Sequence, residues 1–223
     1  MKRVLFTVLL MGSAAFAQTA LAQTADDIMG KVQASQKAVK DVTIKVVGKA
    51  ELDNGSQSID LDIQTIPSLN LTRINFNAPD ALADNVVVID KNTVSNYLFL
   101  TNQVTVQSAK KARLEGFSFD FTRFADFSTE LGKDKFTLKL LSTDTAKDGK
   151  VYVIEATPRE QDLGFTRTRV TITENGWRPL KMQALDSKGK VLADLNFTTW
   201  KTNSGLKAAA LKSLPKDAQI IKK

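Results

Sequence analysis

Residues 42–63 read VTIKVVGKAELDNGSQSIDLDI, and this stretch decides the fold class. Apolar or small side chains stand at every second position from Val42 to Leu52, and again from Ile59 to Ile63. A period of two is typical of β-strands that bury one face. The Asp-Asn-Gly run at 53–55 favours a tight hairpin turn. The stretch therefore predicts two antiparallel strands that share one apolar side.

Further strands continue this pattern on both sides of a phenylalanine-rich segment. Turn residues separate them, and the predicted strands lie at 69–76, 86–89, 94–100, 104–106, 136–140, 151–156, 165–173, 179–185 and 191–200. A mainly β chain of about 10–11 consecutive strands with a few helices predicts a strongly curved antiparallel sheet or open barrel. Its inner side would be apolar and its outer side polar.

A helix is predicted to begin at Thr24 and to end near Lys40. Thr24 is a good N-cap residue, and two aspartates follow it in the first turn, where the helix dipole favours negative charge. Ile28, Val32 and Val39 then form one narrow apolar stripe. This pattern indicates an amphipathic helix that lies on another element.

The segment GFSFDFTRFADFSTEL at residues 116–131 holds five of the chain's twelve phenylalanines. Phe117, Phe121 and Phe124 have helical spacing, whereas Phe119 and Phe127 lie off that stripe. Two interpretations remain open from this segment alone. It is either an ordinary core helix over a sheet or a phenylalanine-lined lid over an apolar cavity.

Residues 1–22 have the features of a secretory signal peptide that is removed on export. A positive start precedes a short apolar run, and two Ala-x-Ala sites follow at 15–17 and 20–22, each with glutamine next. The apolar run is too short to span a membrane. We therefore expect a single mature domain of residues 23–223 in the periplasm, without stable membrane insertion.

The composition excludes several kinds of chemistry. The chain has no histidine and no cysteine, which rules out Ser-His-Asp and Cys-His catalysis, histidine–zinc sites and disulfides. No glycine spacing matches a phosphate-binding loop. The net charge of +7 is spread along the chain, and export argues against nucleic acid as a partner. We expect a monomeric binding protein without metal or cofactor, and no enzyme.

An apolar cavity inside the curved sheet would suit a ligand such as an acyl chain, because each CH₂ group moved out of water contributes about 0.8 kcal/mol. The same residue types also build an ordinary core, so plain packing is an equal alternative for each position. Strand parity gives the candidate lipid-binding residues, together with three from the phenylalanine segment: Ile44, Val46, Leu61, Ile63, Leu71, Phe99, Phe117, Phe121, Phe124, Leu138, Leu140 and Phe197.

An ordered series of short motifs runs through the mature chain. They are a Pro-Asp pair, a Val-x-Asp-x-x-Thr run, an aromatic strand, a Gln-x-Thr strand and a proline-containing ending, at 79–80, 88–93, 97, 103–105 and 214–221. In this order they resemble the LolA-like family of periplasmic carriers of outer-membrane lipoproteins. The resemblance covers nearly all of residues 23–223.

The resemblance implies an incomplete, highly curved antiparallel β-barrel with a helical lid, and the segment at 116–131 falls where the family has its lid. Family members take an acylated lipoprotein from an inner-membrane exporter and pass it to an outer-membrane receptor. They also have an arginine directly before a strand proline, which helps to hold the lid closed. Here Ile66 precedes Pro67, and Arg73 and Arg123 are the candidates for the latch.

Two other functions remain open for this sequence. The same fold serves envelope proteins that sense a lipid or a protein and report it to a partner. A structural domain whose phenylalanines fill the core permanently is the third possibility. A carrier would hand its cargo on, a sensor would change its affinity for a partner, and a filled core would bind no lipid.

Overall fold

A computed structural model describes residues 23–53, 55–109, 135–159 and 164–222 of the chain. The predicted signal peptide and the phenylalanine segment at 116–131 lie outside these ranges. The described residues form one sheet of twelve strands with two short α-helices. The prediction of a mainly β chain with a few helices is confirmed, with one strand more than the sequence indicated.

The helices are α1 (Ala25–Lys37) and α2 (Ala208–Lys212). The strands are β1 (Val42–Leu52), β2 (Gly55–Ile66), β3 (Leu71–Ala78), β4 (Val86–Asp90), β5 (Thr93–Leu98), β6 (Gln103–Ser108), β7 (Phe136–Ala146), β8 (Gly149–Pro158), β9 (Arg167–Thr173), β10 (Arg178–Leu185), β11 (Val191–Thr202) and β12 (Gln219–Lys222). Two short 3-10 helices, Pro67–Leu69 and Phe99–Thr101, follow β2 and β5.

The sheet is open and curled, with the strand order β12-β6-β5-β4-β3-β2-β1-β11-β10-β9-β8-β7. Neighbouring strands are antiparallel, except that β12 pairs with β6 in parallel. Within the described ranges β12 and β7 form the two edges and do not pair with each other. This arrangement confirms the expected incomplete, highly curved barrel.

The larger apolar cluster, here called the inner cluster, lies on the side of the sheet that faces α1. Because it joins strands near both edges, from Val94 of β5 to Phe136 of β7, it lies inside the curl of the sheet. Its buried members include Ile28, Val32, Val46, Leu61, Ile74, Phe76, Val87, Ile154, Val170, Met182, Leu195 and Phe197.

Helix α1 begins as the sequence predicted. The Thr24 hydroxyl accepts a hydrogen bond from the Asp27 amide at 3.2 Å, and the Asp27 carboxylate accepts one from the Thr24 amide at 3.0 Å. This reciprocal capping satisfies two amides that a helix start leaves open. Ile28, Met29 and Val32 bury the apolar side of α1 in the inner cluster.

A second, smaller group, the outer cluster, lies on the opposite face of β2–β6. A C-terminal segment of residues 206–218, which includes α2, packs over it. Leu211 of α2 is only 1% exposed. The buried members of the outer cluster are Ile66, Leu71, Val86, Val88, Tyr97, Val104 and Leu211.

The two halves of the chain meet where β1 pairs with β11, around Gly48. This glycine lies opposite Leu195, and a Cβ atom placed on it would overlap the carbonyl oxygen of Asp194. No side chain fits in that space. The strands can therefore approach this closely only because residue 48 has no side chain.

Replacing Gly48 by alanine is expected to lower the free energy of unfolding by roughly 3 kcal/mol, because the backbones must separate. The measurement is chemical denaturation followed by circular dichroism. Gly30→Ala is the matched control, since nothing lies within 4 Å of its added methyl group and alanine favours a helix by about 1 kcal/mol over glycine. Equal stability of Gly48→Ala and wild type would contradict the close approach.

The buried carboxylate of Asp41 ties the start of β1 to the chain that leaves β11. It accepts hydrogen bonds from the Ser204 amide at 2.7 Å, the Ser204 hydroxyl at 2.9 Å and the Gly205 amide at 3.0 Å. Burial by itself would raise the pKa of Asp41. The hydrogen bonds from Ser204 and Gly205 outweigh burial, so the pKa lies below its usual value of 3.8.

A depressed carboxyl pKa stabilises the fold while the group is ionised, so this contribution is present above pH 3.8 and is lost as the pH falls through the folded pKa. We expect Asp41→Asn to lower the melting temperature at neutral pH. The side-chain NH₂ of asparagine would face the N–H and O–H donors of Ser204 and Gly205, from which the carboxylate accepts. As the pH falls below 3.8 the difference from wild type should begin to shrink. An unchanged difference from pH 7 to pH 3 would contradict this role.

Candidate functional site

A row of apolar side chains crosses the inner face through five neighbouring strands. In ladder order the members of this apolar row are Trp200, Ile44, Ile63, Ile74 and Val87, from β11, β1, β2, β3 and β4. Strands lie about 4.8 Å apart, so the four steps span about 19 Å, comparable with a long acyl chain. The row runs across the strands and offers a linear apolar surface.

Burial varies along the apolar row. Ile74 and Val87 are fully buried, and Ile44 is 6% exposed. Ile63 and Trp200 are only partly buried and pack against the inner cluster. A ligand would therefore first meet Ile63 and Trp200, and would reach Ile74 only by displacing the side chains that pack there.

A second set of apolar residues runs parallel to this row. Phe197 pairs with Val46, which pairs with Leu61, and Leu61 pairs with Phe76. The Phe197 and Trp200 rings meet edge to face with their centroids 6.2 Å apart. This geometry is favourable for aromatic pairs and joins the two sets at β11.

The far edge of the sheet adds two further apolar side chains. Leu138 and Leu140 of β7 lie opposite Ala156 and Ile154 of β8, and both leucines are partly buried against the inner cluster. Apolar side chains with some exposure therefore lie at β7 as well as at β2 and β11. Among the described residues, the apolar side chains of the inner face therefore keep some exposure at three strands.

The apolar row ends at an amide. Asn96 of β5 lies beside Val87 in the ladder, on the same face as Val94, and it is 8% exposed. Its neighbour on the other side is Thr105 of β6. The Asn96 side chain makes no hydrogen bond to another residue of the described ranges. Along this row the inner face therefore changes from apolar to polar between β4 and β5.

The structure brings most of the predicted lining residues together. Seven of them lie in the inner cluster or pack against it: Ile44, Val46, Leu61, Ile63, Leu138, Leu140 and Phe197. The predicted residues Phe117, Phe121 and Phe124 lie outside the described residues, and so does Arg123. Whether any of the seven binds lipid stays a prediction.

The placement of two predicted residues was wrong. Leu71 lies in the outer cluster, because it pairs with Ile66 and the side chains of β3 that face inward are those of Ile74 and Phe76. Phe99 does not lie in a strand, because β5 ends at Leu98. It begins a 3-10 helix and is 51% exposed.

Sequence reasoning missed other residues of this face. Trp200 stands at the predicted end of the last long strand, but its alternation with Phe197 is broken by the register shift in the β1–β11 ladder. Ile74 and Phe76 lie within a predicted strand, but nothing in the sequence indicates that this strand pairs beside Ile63. Only the pairing of β2 with β3 places them beside it.

Ionised groups lie on the outer face instead. Lys45 forms ion pairs with Asp60 and Asp62, and the Asn77 amide donates to both carboxylates at 2.8 Å. The hydrogen bond with Asp60 raises the pKa of Lys45. This mutual pairing gives the two aspartates a structural role. Among the described residues no group of three or more acidic side chains could hold a metal ion.

The described part of the chain also contains no helix long and apolar enough to cross a membrane.

A protein-family model described as an uncharacterized protein matches residues 70–218, which is well over half of the chain. The chain belongs to this family. Comparison with curated proteins gives no match.

Solved structures share the fold. An uncharacterized conserved protein from Thermus thermophilus is 26% identical, with a TM-score of 0.67 over 89% of this chain and 99% of that one. A putative outer membrane lipoprotein-sorting protein domain from Vibrio parahaemolyticus is 16% identical, with a TM-score of 0.51 over 83% and 95%.

A chain of the MucA/MucB complex of Pseudomonas aeruginosa is also 16% identical, with a TM-score of 0.51, and the match covers 88% of this chain and 63% of that one. These similarities show a common architecture. The open, curved antiparallel fold that the resemblance implied is thereby confirmed.

Arg73, a candidate for the latch of the lid, holds a different element. Its side chain lies on the outer face, where the guanidinium donates to the carbonyl oxygens of Leu211 at 3.2 Å and Ser213 at 2.5 Å. It also donates to the Asn75 side chain at 2.9 Å. Burial lowers the pKa of Arg73, but the group stays charged.

Ile66, at the position where the LolA-like carriers have their latch arginine, also faces away from the inner cluster. Ile66 is 8% exposed and packs in the outer cluster. Arg73 and Ile66 therefore both stabilise the C-terminal segment. Lys212 supports the same contact through an ion pair of 2.6 Å with Asp90.

Replacing Arg73 by methionine keeps an apolar stem but removes the donors to Leu211 and Ser213. We expect the free energy of unfolding to fall by roughly 1–3 kcal/mol, because two carbonyl groups lose a charged partner. Hydrogen exchange should accelerate in residues 206–222 and stay unchanged in β1. Lys181→Met, which removes a half-exposed ion pair with Asp194, should cost at most about 1 kcal/mol. Equal effects of both changes would contradict the role of Arg73.

Proposed function

We propose that this protein is a periplasmic carrier that binds the acyl chains of lipoproteins on its inner face and moves them towards the outer membrane. The observation that carries the proposal is the apolar row, which offers a linear apolar surface inside an open sheet. The fold shared with a lipoprotein-sorting domain supports it. No covalent chemistry is part of the proposal.

The energetics suit a reversible carrier. Each CH₂ group that moves from water onto the inner face contributes about 0.8 kcal/mol, so a long acyl chain gains enough to be held without any charged partner. Ligand entry must displace side chains that already pack on Ile74 and Val87, which are fully buried. That displacement lowers the net affinity and allows the cargo to leave.

Partners follow from the cargo. An acylated lipoprotein must be received from an exporter of the inner membrane and, where one exists, delivered to a receptor of the outer membrane. We propose that residues 23–223 act as one domain and as a monomer, after removal of residues 1–22. The segment at 116–131, with Phe117, Phe121 and Phe124, would form the lid over the bound chain.

A second candidate function is the binding of a partner protein in the envelope. The similarity of this fold to a chain of the MucA/MucB complex favours it. In that case lipid on the inner face would regulate the affinity for the partner. Transfer of cargo to acceptor membranes or receptors would distinguish a carrier from such a sensor.

Trp200 offers a direct test of acyl binding, because it lies in the apolar row. In a Trp177→Phe background it is the chain's remaining tryptophan. We expect a triacylated lipopeptide with brominated acyl chains to quench its fluorescence, and Ile63→Ser to weaken the affinity roughly tenfold, or about 1.4 kcal/mol. The physical reason is the loss of apolar contact in the middle of the row.

Gln64→Ser is the matched control, because Gln64 is the next residue of β2 and faces the outer side. It should leave the affinity unchanged. The Trp177→Phe protein without further changes is the reference. If its fluorescence is not quenched even at a large excess of lipopeptide, the proposal loses its basis. Quenching without transfer to acceptor membranes would favour the sensor.

A further inference from the structure

The Gln23 side chain is held in an unusual way. The hydroxyl of Tyr152 donates a hydrogen bond of 2.9 Å to its Oε1 atom. Its Nε2 atom is buried and has no hydrogen-bond partner among the residues that the structure describes. The amide oxygen is therefore held by a hydrogen bond. The amide nitrogen is shielded from water, and no described residue replaces the hydrogen bonds that it would make there. A buried donor without a partner calls for an explanation.

Tyr152 itself is firmly positioned. It is 1% exposed, and its ring stacks on that of Trp177 with the centroids 5.8 Å apart. Burial, together with the charge of Glu174, raises the pKa of Tyr152. The hydroxyl therefore stays protonated at any physiological pH and remains a hydrogen-bond donor.

Gln23 directly follows the Ala20-Leu21-Ala22 cleavage site of the predicted signal peptide. Helix α1 begins at Ala25 with its cap at Thr24, so cleavage after Ala22 would leave all the described residues in the chain. Cleavage would place a free α-amino group on the same residue whose amide carbonyl Tyr152 holds. The two groups that can react with each other would then be in one residue.

We propose that the exported chain carries pyroglutamate at its N-terminus, formed from Gln23 with the Tyr152 hydroxyl as hydrogen-bond donor to the reacting carbonyl. This modification rests on export and on cleavage after Ala22, and it is independent of lipid binding. A glutamine amide and the α-amine of the same residue are its reactants, and ammonia is its second product.

The reaction balances without any oxidant or cofactor. The α-amino nitrogen attacks Cδ and forms the N–Cδ bond of a five-membered lactam. The Cδ–Nε2 bond breaks, and Nε2 leaves as ammonia with a proton from the attacking amine. Negative charge develops on Oε1 in the transition state, where the Tyr152 hydroxyl already donates a hydrogen bond.

The product fits the structure better than the reactant does. Loss of Nε2 removes the buried donor that has no partner among the described residues, and the lactam keeps a carbonyl oxygen, the kind of acceptor that the Tyr152 hydroxyl has in the structure. Cyclisation also removes the positive charge of the α-amine two residues before α1. A positive charge is unfavourable there, because it lies next to the positive end of the helix dipole.

The first test is the intact mass of the protein after purification from the periplasm. We expect the mass of residues 23–223 less one molecule of ammonia, and removal of the blocked residue by a pyroglutamyl peptidase. The full mass of residues 23–223 would overturn the proposal. A chain that begins at any other residue would overturn it as well.

The second test measures the rate of ammonia loss by mass spectrometry, on mature chain released in vitro from an N-terminal fusion by a protease that leaves Gln23 first. Tyr152→Phe keeps the ring but removes the hydroxyl, and we expect cyclisation in native buffer to slow roughly tenfold or more. In denaturant the variant and the wild type should react equally fast.

Tyr97→Phe is the matched control, because it makes the same change at the chain's other tyrosine. Tyr97 lies in the outer cluster, where its hydroxyl lies 3.3 Å from the Asn102 side chain. Its rate should equal that of the wild type. Equal rates for all three proteins in native buffer would show that Tyr152 takes no part.

Discussion

The contact between β1 and β11 is the constraint on which the rest of the structure depends. It joins the strands that precede the phenylalanine segment to those that follow it, and so turns two separate meanders into one sheet. The missing side chain of Gly48 lets the backbones approach. The carboxylate of Asp41 fixes the chain that leaves β11. Without this junction the sheet would divide between β1 and β11, and the apolar row would lose Trp200.

The sheet uses its two faces for different purposes. The inner face carries apolar residues with partial exposure, such as Ile63 and Trp200, and it ends at the amide of Asn96. The outer face of β2–β6 is closed by the C-terminal segment, which Arg73 holds through main-chain carbonyls. On β2–β6 the outer face is therefore covered, and a ligand of these strands would have only the inner face available.

The sequence predicted where most strands lie, but it predicted less well which strands pair and which side chains face inward. Alternation and the turn at 53–55 are local signals, and the strands they indicated are present. Leu71 was assigned to the wrong face because β3 has apolar residues on both sides, and the residue that covers it, Leu211, lies far along the chain. The sequence of either strand alone does not indicate that β1 and β11 approach closely at Gly48. Alternation along a strand assigns each residue to one of two faces. Only the pairing with neighbouring strands shows which of those faces lies inside the curled sheet.

The parallel strand β12 has a consequence for the order in which the protein can be completed. Its partner β6 ends at Ser108, whereas β12 consists of Gln219–Lys222, at the far end of the sequence. Until those last residues are available, β6 is a bare sheet edge, and such edges recruit strands from other molecules. A chain that emerges residue by residue, from a ribosome or through a pore, would therefore keep this edge open to other strands until β12 has formed.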